Sequence, residues 1–88
     1  MAGVLVKASD DELIVDLTDG RKISVPLAWY PRLLHGTRDE RNQHELISRG
    51  TGIHWPLLDE DLSVRSILNG FPSGESDSSL KKWLASRK

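Results

Sequence analysis

The sequence predicts an α+β fold in one small domain: an antiparallel sheet of three N-terminal strands, a second hairpin, and short helices. Three observations predict it. Leu13, Val15 and Leu17 alternate with Ile14, Asp16 and Thr18, which is the period of a half-buried strand. Asp19-Gly20, and later Gly50 and Gly52, punctuate apolar runs as hairpin turns do. Capping residues at Thr37 and Ser63 open stretches too short for long helices.

The first strand is the run Val4-Leu5-Val6, and Ser9-Asp10-Asp11 turns the chain. The hairpin after it has two registers. A two-residue turn at Asp19-Gly20 sets Asp16 opposite Ile23, placing charge beside the core. A three-residue loop, Thr18-Asp19-Gly20, sets Val15 opposite Ile23 and Leu13 opposite Val25, so all four share a face. The second register is preferred, with Gly20 in the left-handed position of a bulged turn. Pro26 ends the ladder because it has no N–H.

Leu27 to Leu34 reads as a short helical turn, with Leu27, Tyr30, Leu33 and Leu34 on one side. Thr37-Arg38-Asp39-Glu40 has the form of a capping box and starts a helix running to about residue 43. Residues 43–48 admit either a continued helix or a strand. Gly50, Gly52 and the run Ile53-His54-Trp55 favour a hairpin across Arg49-Gly50-Thr51. Ser63 is the expected N-cap of a final core helix, with Val64, Ile67 and Leu68 inward and Gly70 closing it. Asp59-Glu60-Asp61 then fall near the positive end of that helix dipole.

Charge divides the 88 residues into three parts. Residues 1–70 carry 8 basic and 11 acidic side chains and form the core domain. Residues 71–79 are small and polar, the composition of a flexible linker. Residues 80–88 carry Lys81, Lys82, Arg87 and Lys88 without an acid, a basic tail with Leu80, Trp83 and Leu84 at amphipathic spacing. Net charge is −1, so no general basic field attracts nucleic acid. No run of about 18 apolar residues spans a membrane. No secretory signal is visible, and with zero cysteines a cytoplasmic location is expected.

Catalytic and metal signatures are weak. His35, His44 and His54 lack the spacing that places two ligands on one helical face, and no cysteine completes a set. No nucleophile elbow or phosphate loop occurs. A small enzyme using His54 with Asp59 or Glu60 is the weakest reading. No catalytic residue, metal or cofactor is therefore assigned. The aromatic residues are more informative. Trp29 and Tyr30 precede Pro31, and Trp55 precedes Pro56. Trp, Tyr and Arg dominate interface hot spots. The expected partner-binding residues are Trp29, Tyr30, Arg32, His54, Trp55 and Trp83, with another protein as partner. The Val4–Val6 edge offers a place for a second copy, giving a homodimer. The alternative is an accessory nucleic-acid regulator whose Arg32, Arg38, Arg41, Lys81 and Lys82 contact phosphates.

Four blocks together carry a resemblance: Asp19-Gly20-Arg21, Val25 to Leu33, Gly52 to Pro56, and Leu58 to Val64. Over about residues 4–70 the chain resembles the bacterial domain-of-unknown-function 2442 family. The resemblance implies a small prokaryotic α+β protein with no established activity and no catalytic residues to carry over. Some members resemble fusions to a helix-turn-helix domain, and others lie beside a second small protein in a layout like that of toxin–antitoxin pairs. Residues 71–88 are too few for the fused domain. The expected function is thus a non-enzymatic protein-binding module, an adaptor or antitoxin-like regulatory partner.

Overall fold

The computed structural model describes residues 2–87, so Met1 of the expected core and Lys88 of the expected tail lie outside it. Strands β1 (Gly3–Ala8), β2 (Glu12–Leu17) and β3 (Lys22–Pro26) form one antiparallel sheet in that order. The side chain of Ser9 makes the first turn by accepting the N–H groups of Asp11 and Glu12 at 3.2 and 2.9 Å. The second turn has the preferred three-residue loop. Val15 faces Ile23 and Leu13 faces Val25. The Leu17 N–H donates to the Arg21 carbonyl at 2.8 Å, and Gly20 takes φ +92°.

Pro26 closes β3. A 3-10 turn over Leu27–Trp29 and helix α1 (Pro31–His35) follow. Leu27, Tyr30 and Leu33 are buried as the spacing predicts, whereas Leu34 faces outward. Helix α2 (Arg38–Asn42) carries both arms of the capping box: Thr37 Oγ1 accepts the Glu40 N–H at 3.1 Å, and Glu40 Oε1 accepts the Thr37 N–H at 2.8 Å.

Residues 43–48 resolve as a strand. β4 (Glu45–Ile47), β5 (Gly52–Trp55) and β6 (Glu60–Ser63) form a second antiparallel sheet in that order. The β4–β5 connection holds three successive left-handed residues, Ser48, Arg49 and Gly50. Gly50 presses on β1: a Cβ there would sit 2.7 Å from the carbonyl oxygen of Gly3, so only glycine fits.

Strand β6 corrects one expectation. The acids at 59–61 do not lead into the helix: Asp59 is in a left-handed turn, and Glu60 and Asp61 are strand residues paired with Trp55 and His54. Helix α3 (Val64–Leu68) starts after them, capped by Ser63 as expected, with Ser63 Oγ accepting the Ser66 N–H at 3.0 Å. Helix α4 (Asp77–Ser86) starts three residues before the expected tail, with Ser76 as its N-cap.

Side chains from both sheets and from the helical turns meet in one core that includes Leu13, Val15, Leu27, Tyr30, Leu33, Ile53, Trp55, Leu58, Val64 and Ile67. Arg41 is buried with them at 6% exposure. Its Nη1 donates to the carbonyls of Leu33 and Gly36 at 3.2 and 2.8 Å, and its Nη2 reaches Asp10 at 2.9 Å. These bonds fasten the α1–α2 corner to the β1–β2 turn.

Candidate functional site

The core claims two of the six expected partner-binding residues. Trp55 is 0% exposed and Tyr30 is 1% exposed, so neither presents its ring to a partner in this structure. The reason is positional: Trp55 lies on the inner face of β5, and its Nε1–H donates to the Arg41 carbonyl at 3.0 Å. Proline neighbours marked the ends of elements and not the surface. Trp29 is half-buried against the same core.

The remaining three divide between two places. His54 lies on the outer face of β5, where its Nδ1 is 2.5 Å from Oδ1 of the cross-strand residue Asp61. Asp61, and not Asp59 or Glu60, is its neighbour, since Glu60 opposes Trp55 on the other face. Arg32 and Trp83 come together. The Arg32 guanidinium makes two 2.8 Å hydrogen bonds to Glu75, a third of 2.8 Å to the Asp59 carbonyl, and lies 5.2 Å from the Trp83 ring centre. Arg87 covers the same ring at 4.6 Å and pairs with Glu40 at 2.6 Å. The basic tail is therefore docked on its own domain.

These bonds also bear on the phosphate-contact residues. Arg32, Arg38 and Arg41 all face carboxylates, Arg38 reaching Asp10 at 3.0 Å. Lys81 and Lys82 remain exposed on α4.

A groove that the sequence did not reveal lies beside β6. One wall is the strand itself, Glu60 to Ser63, and the other is the segment Phe71–Gly74. Val64 N–H donates to Thr51 across the ladder, so even-numbered backbone groups face β5 and those of Asp61 and Ser63 turn outward. β6 ends its sheet, so no further strand pairs with that edge, although the Asp61 N–H on it is already taken by Glu60 Oε1 at 3.0 Å. The opposite wall is held in place. Phe71 N–H donates to Ser66, Ser73 N–H donates to Trp29, and Glu75 is clasped by Arg32. Of residues 71–79, expected as a flexible linker, 71–75 are thus tied to the core at three points and 77–79 belong to α4. Phe71 stands on the rim with 59% of its surface exposed. The hollow measures about 370 Å³ and shares Glu60, Asp61, Ser73 and Gly74 with a second hollow of about 400 Å³ reaching Arg32 and Glu75.

Electrostatics follow from burial and pairing. Burial raises the pKa of Glu60 above the ordinary carboxylate value, opposed by the Asp61 N–H and Arg32 and reinforced by Glu75 and Asp61. Burial, then the Glu60 charge, raises Tyr30. The Arg32 hydrogen bonds lower Glu75. No cluster of three metal-ligating side chains occurs among the described residues, and no helix among them is long and apolar enough to cross a membrane.

Fold and groove together define a small α+β domain of two three-stranded antiparallel sheets, with a strand edge that no further strand covers beside a tethered segment. The chain belongs to the DUF2442 family of proteins of unknown function, which it matches over residues 4–73. It is similar in structure to a protein of unknown function from Rhodospirillum rubrum, with 25% identity, a TM-score of 0.71, and coverage of 90% of this chain and 95% of that one. It is also similar to the uncharacterized protein CV0863 from Chromobacterium violaceum, with 19% identity, a TM-score of 0.69, and coverage of 98% and 75% respectively. A search of curated proteins finds no match.

Proposed function

We propose that this protein is a non-enzymatic binding module that takes an extended segment of another protein along β6. The outer edge of β6, which no further strand covers and which faces a fixed wall with Phe71 on its rim, is the observation that carries this reading. An added strand gains main-chain hydrogen bonds, and the side chains pointing to either face supply selectivity. The small polar hollow, with no nucleophile–base pair beside it among the described residues, favours recognition over catalysis. The role this supports is that of an adaptor or of the regulatory half of an antitoxin-like pair.

Panning random nine-residue peptides on the full chain tests the reading. Extended sequences should be enriched, and N-methylation of their alternate amides should weaken binding at least tenfold. Failure to enrich any peptide, or indifference to N-methylation in both registers, overturns it.

A further inference from the structure

Arg65 stands apart among the charged side chains. Arg21, Arg32, Arg38, Arg41 and Arg87 each face a carboxylate. Arg49 and Arg65 have no such partner among the described residues. In a chain with 13 acidic side chains against 12 basic ones, pairing is the rule for arginine, and both exceptions belong to one place. Their segments meet where the Val64 N–H donates to the Thr51 carbonyl at 2.9 Å.

Arg65 lines a hollow of about 550 Å³ with Thr51, Leu68 and Asn69, larger than either hollow beside β6. None of the four lining residues is acidic. Residues 65, 68 and 69 are three and four apart, so they share one face of α3. Ser66 and Ile67 line the β6 groove instead, which puts α3 between the two hollows.

Each lining group has a definite capacity. Thr51 Oγ1 donates its proton to the Ser48 carbonyl at 2.8 Å. The Arg65 guanidinium and the Asn69 carboxamide have no side-chain partner among the described residues, so their N–H groups are free for a guest. Leu68, half-buried against the core, supplies an apolar surface beside them. A basic residue in the last turn also suits the negative end of a helix. Yet α3 has five residues, and the carbonyls of Arg65, Ser66 and Ile67 are already capped by the N–H groups of Asn69, Phe71 and Gly70 at 3.0, 3.0 and 3.1 Å. An anion placed here does not face bare carbonyls at those positions.

The chemistry narrows the guest. A guanidinium fork and a carboxamide match the two oxygens of a carboxylate. A phosphate brings more charge and more oxygens than one cation and one amide serve, and a net charge of −1 gives no field for a nucleic-acid backbone. Leu68 calls for an aliphatic group next to the carboxylate, and the last residue of a protein chain carries both on one Cα. Thr51, Arg65 and Asn69 are exposed, so the hollow is too open to enclose a small free acid. A residue presented by a larger partner keeps its remaining contacts outside.

We infer that the hollow between Thr51 and α3 receives the C-terminal residue of a partner protein. Its carboxylate accepts hydrogen bonds from Arg65 and Asn69, and its aliphatic side chain lies on Leu68. This site does not depend on the β6 groove.

An NMR titration of the full chain at low salt tests it, followed at the Arg65 Nε–H and Asn69 side-chain amide signals. The probe is the peptide N-acetyl-Ala-Ala-Leu with a free C-terminus, which should shift both signals at millimolar concentration. Amidating the C-terminus should weaken binding about tenfold, because it removes the charge that the guanidinium pairs with. Ending in glycine should weaken it about threefold, because it removes the side chain over Leu68. No shift, or an amidated peptide that binds as well as the acid, overturns the site. Inorganic phosphate or 4-methylvalerate binding as tightly as the peptide, or a glycine ending that costs nothing, overturns the assignment to a chain end. Arg65→Gln and Asn69→Ala should each weaken the peptide while the thermal midpoint stays level, since neither side chain has a partner to lose. Peptide binding at full strength in both variants sinks the inference. Peptides panned on the β6 edge should bind Arg65→Gln unchanged, so the two sites fail separately.

Discussion

Arg32 and Glu75, 43 residues apart, close on each other through two hydrogen bonds of 2.8 Å, with the Glu75 side chain only 8% exposed. The pair does more than join two charges. It fixes the end of the groove's outer wall and sets the start of α4, where Ser79 Oγ donates to the same carboxylate at 2.7 Å. The guanidinium also lies 5.2 Å from the Trp83 ring centre, so one side chain on α1 touches both the segment before α4 and α4 itself.

Arg32→Ala should therefore loosen a segment and leave the core folded. Amide exchange should rise over residues 73–86 and remain slow in β2 and β5. Arg32→Lys should not restore protection, because a single ammonium cannot reproduce two parallel bonds and a stacked plane. Uniform exchange across the chain in either variant would count against this account.

Acid should act on the same region. Glu40 is held down to about 2, first by the Arg87 hydrogen bond and then by the Thr37 N–H. A carboxylate with a lowered folded-state pKa contributes stability above its ordinary value of 4.5, and that contribution is lost as pH falls toward about 2. Glu75 is lowered in the same direction by Arg32. Trp83 fluorescence should thus report release of α4 between those limits. In Arg87→Ala the Glu40 carboxyl, followed by NMR, should titrate closer to 4.5 but stay below it, since the capping box persists.

Trp55 should prove structural. Trp55→Ala should lower stability by about 3–5 kcal/mol, the range for emptying a large aromatic site. Trp55→Phe should lose less, since without the indole N–H the Arg41 carbonyl still has His44 Nδ1, 3.3 Å away, as a partner. Denaturant unfolding measures both. A Trp55→Phe protein as unstable as Trp55→Ala would show that this carbonyl is left without a donor.

Two glycines make a matched comparison. Gly20 and Gly50 both have positive φ, +92° and +83°, but a Cβ at Gly20 meets nothing within 4 Å while one at Gly50 meets Gly3. Gly20→Ala should cost about 1–2 kcal/mol from backbone strain alone. Gly50→Ala should cost clearly more, because the β4–β5 turn must also move away from β1. Equal losses in denaturant melts would remove the steric part of the explanation.

Much of the fold is legible locally. The β2–β3 register follows from the faces of Leu13, Val15, Ile23 and Val25, because a slip by one residue would bury charge. The caps at Thr37 and Ser63 follow from side-chain oxygens meeting amides three residues away. The family blocks are legible for the same reason, since they are contiguous.

Only the tertiary structure decided what each aromatic and each charge does. Trp55 and Trp83 are both expected partner-binding rings, yet one is sealed in the core and the other has two guanidiniums within 5.2 Å of its ring centre. Glu60 and Asp61 became strand residues because β5 was available to pair with them, which outweighed the pull of a helix dipole on exposed acids. The groove joins residues 30, 60–63 and 71–74, and no periodicity links positions so far apart. By itself, the sequence determined elements whose causes lie within a few residues. Sites made by distant segments meeting depend on how those elements pack, and that is a property of the folded chain.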